Sequence, residues 1–290
     1  MRILLTGRNG QLGWELQRVL APVATVVALG REDLDLAQPD RIRDAVGATR
    51  PDLIINAAAY TAVDRSEGDE DAAFAINAHA PAVLAESAGR LRIPLIHYST
   101  DYVFDGTKDG PYTELDAPNP LGVYGRSKLA GERAIQASGC AHLIFRISWI
   151  YAARGKNFLL TMLKLAREKP ELRVVRDQIG VPTWARMVAE ATGVIVAATR
   201  SDLTRHSGLY HLAAAGSTSW HGFASRIVAL GAERGLCPAV PVTPITTAEY
   251  ATPTRRPPNS QLDCSKLATA FGIALPAWEA SLRWCLDDMQ

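Results

Sequence analysis

The chain has 290 residues, 48% of them hydrophobic and 21% charged, a composition that suits a globular protein with a sizeable core. Its 31 basic and 30 acidic residues leave a formal net charge of +1, which argues against a nucleic-acid partner and against an acidic tail. The four cysteines, Cys140, Cys237, Cys264 and Cys285, lack Cys-x-x-Cys spacing and the histidines lack ligand spacing, so reduced thiols are expected rather than a disulfide frame or a zinc site.

Arg2 to Leu5 is a short apolar run that reads as a first strand. It passes straight into a glycine turn, without the longer apolar region of a signal peptide. No stretch approaches the roughly 18 apolar residues of a membrane span, so a cytoplasmic protein without a membrane partner is expected. Leu12 to Leu20 reads as a helix, ended by Ala21-Pro22, and Thr25 to Leu29 as a second strand. Asp40 to Val46 reads as a helix, Leu53 to Asn56 as a third strand, Ala72 to Gly89 as a helix and Leu95 to Tyr98 as a fourth strand. A loop rich in Asp, Gly and Pro spans Asp101 to Pro120; a helix then carries Tyr124 on to about Ser138, and His142 to Ile147 is a fifth strand. Strand and helix in alternation, with fully apolar strands, predict an α/β fold whose parallel sheet is covered on both faces.

After Trp149 the rhythm changes. Phe158 to Glu168 and Arg186 to Thr199 read as helices, Leu172 to Val175 and Leu209 to Leu212 as short strands, and proline and threonine concentrate between Pro238 and Pro258. The expected organisation is a Rossmann-like doubly wound domain over residues 1–150, with 184–200 returning to it, and a smaller C-terminal α/β lobe over most of 151–290.

Gly7, Gly10 and Gly13 lie three residues apart between the first strand and the first helix, with Asn9, Gln11 and Leu12 among them. A dinucleotide site needs this context: a tight turn, a close backbone approach to the pyrophosphate, and a helix N-terminus facing the phosphates. The spacing is Gly-x-x-Gly-x-x-Gly, and a strand-to-helix turn without a ligand is the plainer alternative. At the end of the second strand Arg31 comes first, which favours the 2′-phosphate of NADPH over NADH, although a solvated loop arginine has the same appearance. Asp35 and Leu36 are placed to flank the adenine. Ala57, Ala58 and Ala59, after the third strand, leave room for a cofactor against the backbone.

Ser99-Thr100-Asp101 ends the fourth strand, where open α/β sheets bind ligands. Tyr124 and Lys128, four apart on a helix, share a face. A cation beside a phenol is expected to lower its pKa from about 10, so that it exchanges a proton near neutral pH.

In that order these pieces resemble the short-chain dehydrogenase/reductase superfamily in its extended, nucleotide-sugar-modifying form. Longer blocks are similar to the dTDP-4-dehydrorhamnose reductase family over essentially the whole chain: Gly10 to Gly13, Asn56 to Asp64, Ser99 to Gly106, Val123 to Glu132, Phe145 to Tyr151, Asp177 to Thr183 and Arg256 to Ser260. The resemblance implies that NAD(P)H delivers hydride to C4 of a dTDP-4-keto sugar. Tyr124 would then donate the proton, Lys128 hold the nicotinamide ribose and Thr100 bond the reacting oxygen. It also implies a substrate site built from Thr100, Asp101, Tyr102, Trp149, Asn157, Gln178, Arg256 and Asn259, with the C-terminal lobe as the substrate-binding part. An epimerase or dehydratase of the same fold, and a non-catalytic regulatory subunit of the methionine adenosyltransferase type, are the alternatives. A monomer or a homodimer is expected. Some members of the resembled family bridge dimers through a metal, and Glu15 is a candidate for that role, but no metal is expected in the chemistry and Mg2+ is not predicted.

Overall fold

The computed structural model describes residues 1–199, 202–250 and 252–289; residue 200, the last of the segment expected to return to the sheet, lies outside these. In chain order the first half runs β1 (Arg2–Thr6), α1 (Gln11–Leu20), β2 (Thr25–Leu29), α2 (Pro39–Thr49), β3 (Leu53–Asn56), α3 (Val63–Ser66), α4 (Glu70–Phe74), α5 (Ala80–Leu91), β4 (Leu95–Thr100), α6 (Val123–Ala137) and β5 (His142–Ile147). The second half runs β6 (Ile150–Tyr151), α7 (Phe158–Glu168), β7 (Leu172–Val175), β8 (Ile179–Gly180), β9 (Thr183–Trp184), α8 (Ala185–Ala198), β10 (Gly208–His211), β11 (Thr218–Ser219), α9 (Trp220–Glu233), β12 (Val242–Ile245), α10 (Ser265–Phe271) and α11 (Trp278–Asp287).

The apolar runs pair into one sheet of order β10-β5-β4-β3-β1-β2, parallel at every junction. Because side chains alternate along a strand, β1 sends Ile3 and Leu5 to one face and Leu4 to the other. Ile3 and Leu5 join Leu12 and Leu16 of α1 and Val188 and Ile195 of α8. Leu4 joins Ile42 of α2, Leu84 of α5 and Ile135 of α6. The sheet is therefore doubly wound, as the fully apolar strands imply. Chain direction across the sheet reverses between β1 and β3, the switch point where such sheets open a ligand crevice. A buried bidentate pair locks α6 to β5: Arg146 Nε and Nη2 donate to Glu132 Oε1 and Oε2 at 2.9 and 2.7 Å.

The helix predicted from Ala72 to Gly89 is interrupted. Ala75–His79 forms a π-helical turn between α4 and α5. Asn77 in that turn accepts from Tyr60 N at 2.9 Å and donates to Tyr60 O and Ser127 Oγ, both at 3.0 Å. The widened turn thus ties the loop after β3 to α6, a use typical of π-bulges.

A separate apolar cluster gathers Tyr151, Leu159 and Leu163 with Val174, Phe223, Ile227, Leu282 and Leu286. Small strand pairs brace it: β7 with β12, β6 with β9, and β8 with β11. α8 and β10 instead leave this cluster for the sheet. The sequence reading assigned no element to α9, β12, α10 or α11. Gly222 and Gly231 dilute the apolar stripe of α9, although its cap is present: Ser219 Oγ accepts from Gly222 N at 3.0 Å. Among the described residues no helix is long and apolar enough to cross a membrane.

Candidate active site

A cavity of about 960 Å³ opens at the carboxyl ends of the strands, where Thr6, Leu29, Thr100 and Ile147 all reach its wall. That volume is at the upper end of the roughly 300–1,000 Å³ usual for ligand sites. Most of the residues singled out from the sequence meet here. Gly7, Asn9, Gly10, Gln11 and Leu12 line one end, with Arg31, Asp35 and Leu36 beside them and Ala57, Ala58 and Ala59 opposite. Thr100, Asp101, Tyr102, Tyr124 and Lys128 line the other end, with Trp149 and Asn157.

The glycine turn is set by sterics. Gly7 has φ +79°, and a Cβ there would lie 2.7 Å from Ala58 N. Gly10 N donates to Gly7 O at 2.9 Å and Gly10 opens α1 without a side-chain cap, so free N–H groups face the cavity. Gly13 does not line it. A Cβ at Gly13 would lie 2.1 Å from Gly7 O, so this glycine lets the helix pack on the turn. The cradle fits the diphosphate of a dinucleotide. At the end of β2, Arg31 is exposed on the cavity wall. Glu32 reaches back to the turn, pairing with Arg8 and accepting from Asn9 Nδ2 at 3.0 Å. Asp35 accepts from Ala37 N and Gln38 Nε2, both at 3.0 Å, and these bonds hold its carboxyl below the usual range.

At the other end Thr100, Asp101 and Lys128 are 4%, 2% and 1% exposed. Thr100 Oγ1 donates to Asp101 Oδ1 at 3.0 Å and accepts from Tyr102 N at 3.2 Å. The Tyr124 phenol lies beside Thr100, and the Tyr102 ring meets it edge-on at 5.8 Å. Tyr124 and Lys128 share a face of α6, as their spacing predicts. The expected depression of the phenol is corrected here: burial pushes Tyr124 up to about 12, with Thr100 opposing the rise. Lys128 is turned elsewhere, donating to Tyr98 O at 2.6 Å and lying 3.3 Å from His97 Nε2. Burial lowers Lys128 to about 8. His97 was missed. Its Nδ1 lies 3.0 Å from Asn56 Nδ2, and Thr6 Oγ1 donates to Asn56 Oδ1 at 2.6 Å, so a buried polar row runs under the cavity from β1 to α6. The available signal was a lone histidine in the apolar strand Leu95 to Tyr98.

The aromatic wall is larger than expected. Trp149, held at φ 44°, stacks on Trp220 with centroids 3.5 Å apart and planes 6° from parallel. Phe158 leans on Trp220 at 4.6 Å, and both residues, not among the expected site residues, line the cavity. Asn157 is tied into the protein: its Oδ1 caps α7 through Leu160 N at 3.0 Å and its Nδ2 donates to Gln11 Oε1 at 2.8 Å. Three expected substrate residues do not line the cavity, and each makes hydrogen bonds elsewhere. Gln178 Nε2 donates to Thr247 Oγ1 at 3.0 Å, Asn259 Nδ2 to Lys108 O and Gly110 O at 2.7 Å, and Arg256 Nη2 to Asp64 Oδ2 at 3.0 Å. Glu15 accepts from Arg186 Nε at 3.3 Å, and among the described residues no group of three or more His, Cys, Asp or Glu is placed to hold a metal ion.

The model of the RmlD substrate binding domain family matches residues 1–290. A dTDP-4-dehydrorhamnose reductase of Burkholderia thailandensis is 47% identical over 297 residues, covering 100% of this chain and 99% of its own. The crystal structure of a dTDP-4-dehydrorhamnose reductase from Clostridium acetobutylicum matches with a TM-score of 0.92 at 37% identity, covering 100% of both chains. That of a dTDP-4-dehydrorhamnose reductase from Bacillus anthracis, in complex with NADP, matches with a TM-score of 0.90 at 33% identity over 99% of both chains. With a family model and a relative of such identity both spanning its whole length, the chain belongs to the dTDP-4-dehydrorhamnose reductase family, a family of oxidoreductases.

Proposed function

We propose that this chain reduces the C4 ketone of dTDP-4-dehydro-L-rhamnose to dTDP-L-rhamnose, with NADPH as cofactor and NADH as its alternative, in the last step of dTDP-rhamnose biosynthesis. The observation that carries the reading is the meeting of two devices in one cavity: an uncapped helix N-terminus over a glycine turn, and Thr100 at the end of β4 beside Tyr124 of α6. Family membership supports a reductase over an epimerase or dehydratase of the same fold. The intact Thr100, Tyr124 and Lys128 support an enzyme over a regulatory subunit.

A bound nicotinamide cofactor supplies the hydride. In this reading the N–H groups of Gln11 and Leu12 hold its diphosphate, Lys128 its nicotinamide ribose and Arg31 its 2′-phosphate. Tyr124 gives the proton to the oxygen of the reduced ketone. A phenol pushed up to about 12 is fully protonated at neutral pH, which is the state an acid needs. Thr100 hydrogen-bonds the same oxygen, and one such donor at a developing oxyanion is worth roughly 10²–10³ in rate. Trp149, Trp220 and Phe158 offer flat apolar surface for the nucleotide sugar. The second half of the chain, apart from α8, β10 and α10, is the substrate lobe.

The test follows NADPH oxidation by absorbance with the 4-keto sugar generated in situ, with a sugar-free control and an NADH control. Sugar-dependent oxidation that yields dTDP-L-rhamnose is expected. A folded protein that binds NADPH and leaves it unoxidised in the presence of the sugar overturns the reading.

A further inference from the structure

Asp101 follows Thr100 at the end of β4, and its carboxylate accepts from two hydroxyls. Thr100 Oγ1 donates to Oδ1 and Ser148 Oγ donates to Oδ2, both at 3.0 Å. Asp101 lines the cavity and both its oxygens are already bonded, so a role exerted through Thr100 stands beside the expected substrate contact.

A threonine hydroxyl has one proton to give. While Asp101 is ionised that proton belongs to the carboxylate. One lone pair of Thr100 is taken by Tyr102 N, and the remaining one faces the Tyr124 phenol. Thr100 is then an acceptor towards the cavity and draws the Tyr124 proton to itself. When Asp101 is protonated the order reverses. The acid donates to Thr100, and the Thr100 proton is free to point into the cavity beside that of Tyr124. Two donors then converge where the ionised form offers one.

We propose that Asp101 is a positioning residue which sets the direction of the Thr100 hydroxyl, so that its protonated form makes Thr100 a donor to the ketone oxygen and its ionised form withdraws that donor. The inference rests on the reductase reading above. Electrostatics act in the same direction. The Asp101 charge makes Tyr124 a weaker acid and opposes negative charge growing on the ketone oxygen one hydroxyl away. Burial pushes Asp101 up to about 6, and the hydroxyls that bond it limit the rise. The titratable and charged groups near it are Tyr124 of α6, on which its charge acts, and Tyr102 on its own turn, whose neighbours also include Arg256 and Asp64. Filling the cavity with cofactor and sugar removes water from it and drives the carboxyl further up, towards the pH at which the enzyme works.

The experiment is the pH profile of the single-turnover rate of NADPH oxidation, which product release does not mask, in the parent and in Asp101→Asn and Asp101→Ala. The asparagine amide donates to Thr100 at every pH, as the protonated acid does. Below about pH 7, under the Lys128 titration near 8, the parent rate is expected to fall with rising pH along the titration of one group. Asp101→Asn should vary by less than about twofold over the same range, and Asp101→Ala should lose about tenfold or more, both with NADPH affinity intact. A fall over that range in Asp101→Asn that matches the parent's overturns the proposal. A second readout needs no turnover: in protein carrying 13C-carboxyl aspartate, the Asp101 resonance is identified by its loss in Asp101→Asn. It should titrate above the other aspartates and move further up in Thr100→Val, which removes a donor to the ionised form. A parent that fails to reduce the sugar removes the proposed function, and the resonance then decides alone: a titration unmoved by Thr100→Val sinks the coupling.

Discussion

Tyr124 carries the clearest expectation at the scale of a single residue. Its hydroxyl lies on the cavity wall beside Thr100 and is protonated at neutral pH. Tyr124→Phe keeps the ring that Tyr102 packs against and removes only the proton. Turnover should fall by about 10²–10⁴-fold, with NADPH binding by fluorescence titration unchanged. Activity within a factor of a few of the parent would take Tyr124 out of the acid role. Asp101 adds a stability expectation with a definite sign. Its folded pKa, about 6, lies above the ordinary 3.8, so the native state favours the protonated form. The stability this gives is complete below about pH 4 and is lost as pH rises through about 6. A shift of that size corresponds to roughly 3 kcal/mol. Asp101→Asn does not titrate, so it should gain on the parent between pH 4.5 and pH 8 by about 2 kcal/mol in urea unfolding. A stability difference that is the same at both pH values counts against the buried-carboxyl account.

At the scale of elements the aromatic wall depends on β8. A Cβ on Gly180 would lie 2.3 Å from Trp149 Cε2, so only glycine lets β8 run beneath the indole. Trp149 also holds a left-handed backbone conformation that non-glycine residues rarely adopt, a cost of order 1–3 kcal/mol that the Trp220 stack offsets. Gly180→Ala should push Trp149 off Trp220. KM for the sugar should rise by roughly tenfold, with cofactor affinity little changed and intrinsic tryptophan fluorescence altered. Unchanged fluorescence and KM together would show that β8 yields instead. The sequence did announce the elements around this wall unevenly. The sheet strands were legible because each is a continuous apolar run, and α1 because its apolar stripe follows a glycine turn. The glycine turn and the Thr100, Tyr124, Lys128 set were legible because their chemistry fixes spacing. Trp220 and Phe158 were not, since an aromatic residue at a helix start reads as core until tertiary packing brings it to a cavity. The π-turn at Ala75–His79 was hidden for a similar reason: what widens it is the pairing of Asn77 with Tyr60 and Ser127, which no local periodicity reports. Nor does i, i+4 spacing say where a lysine ammonium points. The expectation for the Tyr124 pKa failed on that, because Lys128 turns to Tyr98 O and His97.

Over the whole molecule the chain builds two apolar centres, one on the sheet and one between α7, α9 and α11, and crosses between them repeatedly. α8 and β10 return to the sheet after β6 to β9 have been laid down, and α9 and α11 then go back to the second centre. The cavity takes its wall from both, with Gly7 and Thr100 from the sheet side and Phe158 and Trp220 from the other. A chain crossing of this kind makes independent melting of the two halves costly, because unfolding the second centre strands α8 and β10 on the sheet without their connections. Calorimetry should therefore show one cooperative transition. NADPH at about 100 times its Kd should stabilise the native state by roughly 2.7 kcal/mol and raise Tm by several degrees. The whole endotherm should move together. If two transitions separate, and NADPH raises only the first, the second centre is a domain in its own right, and the shared wall of the cavity then forms by docking of two folded units.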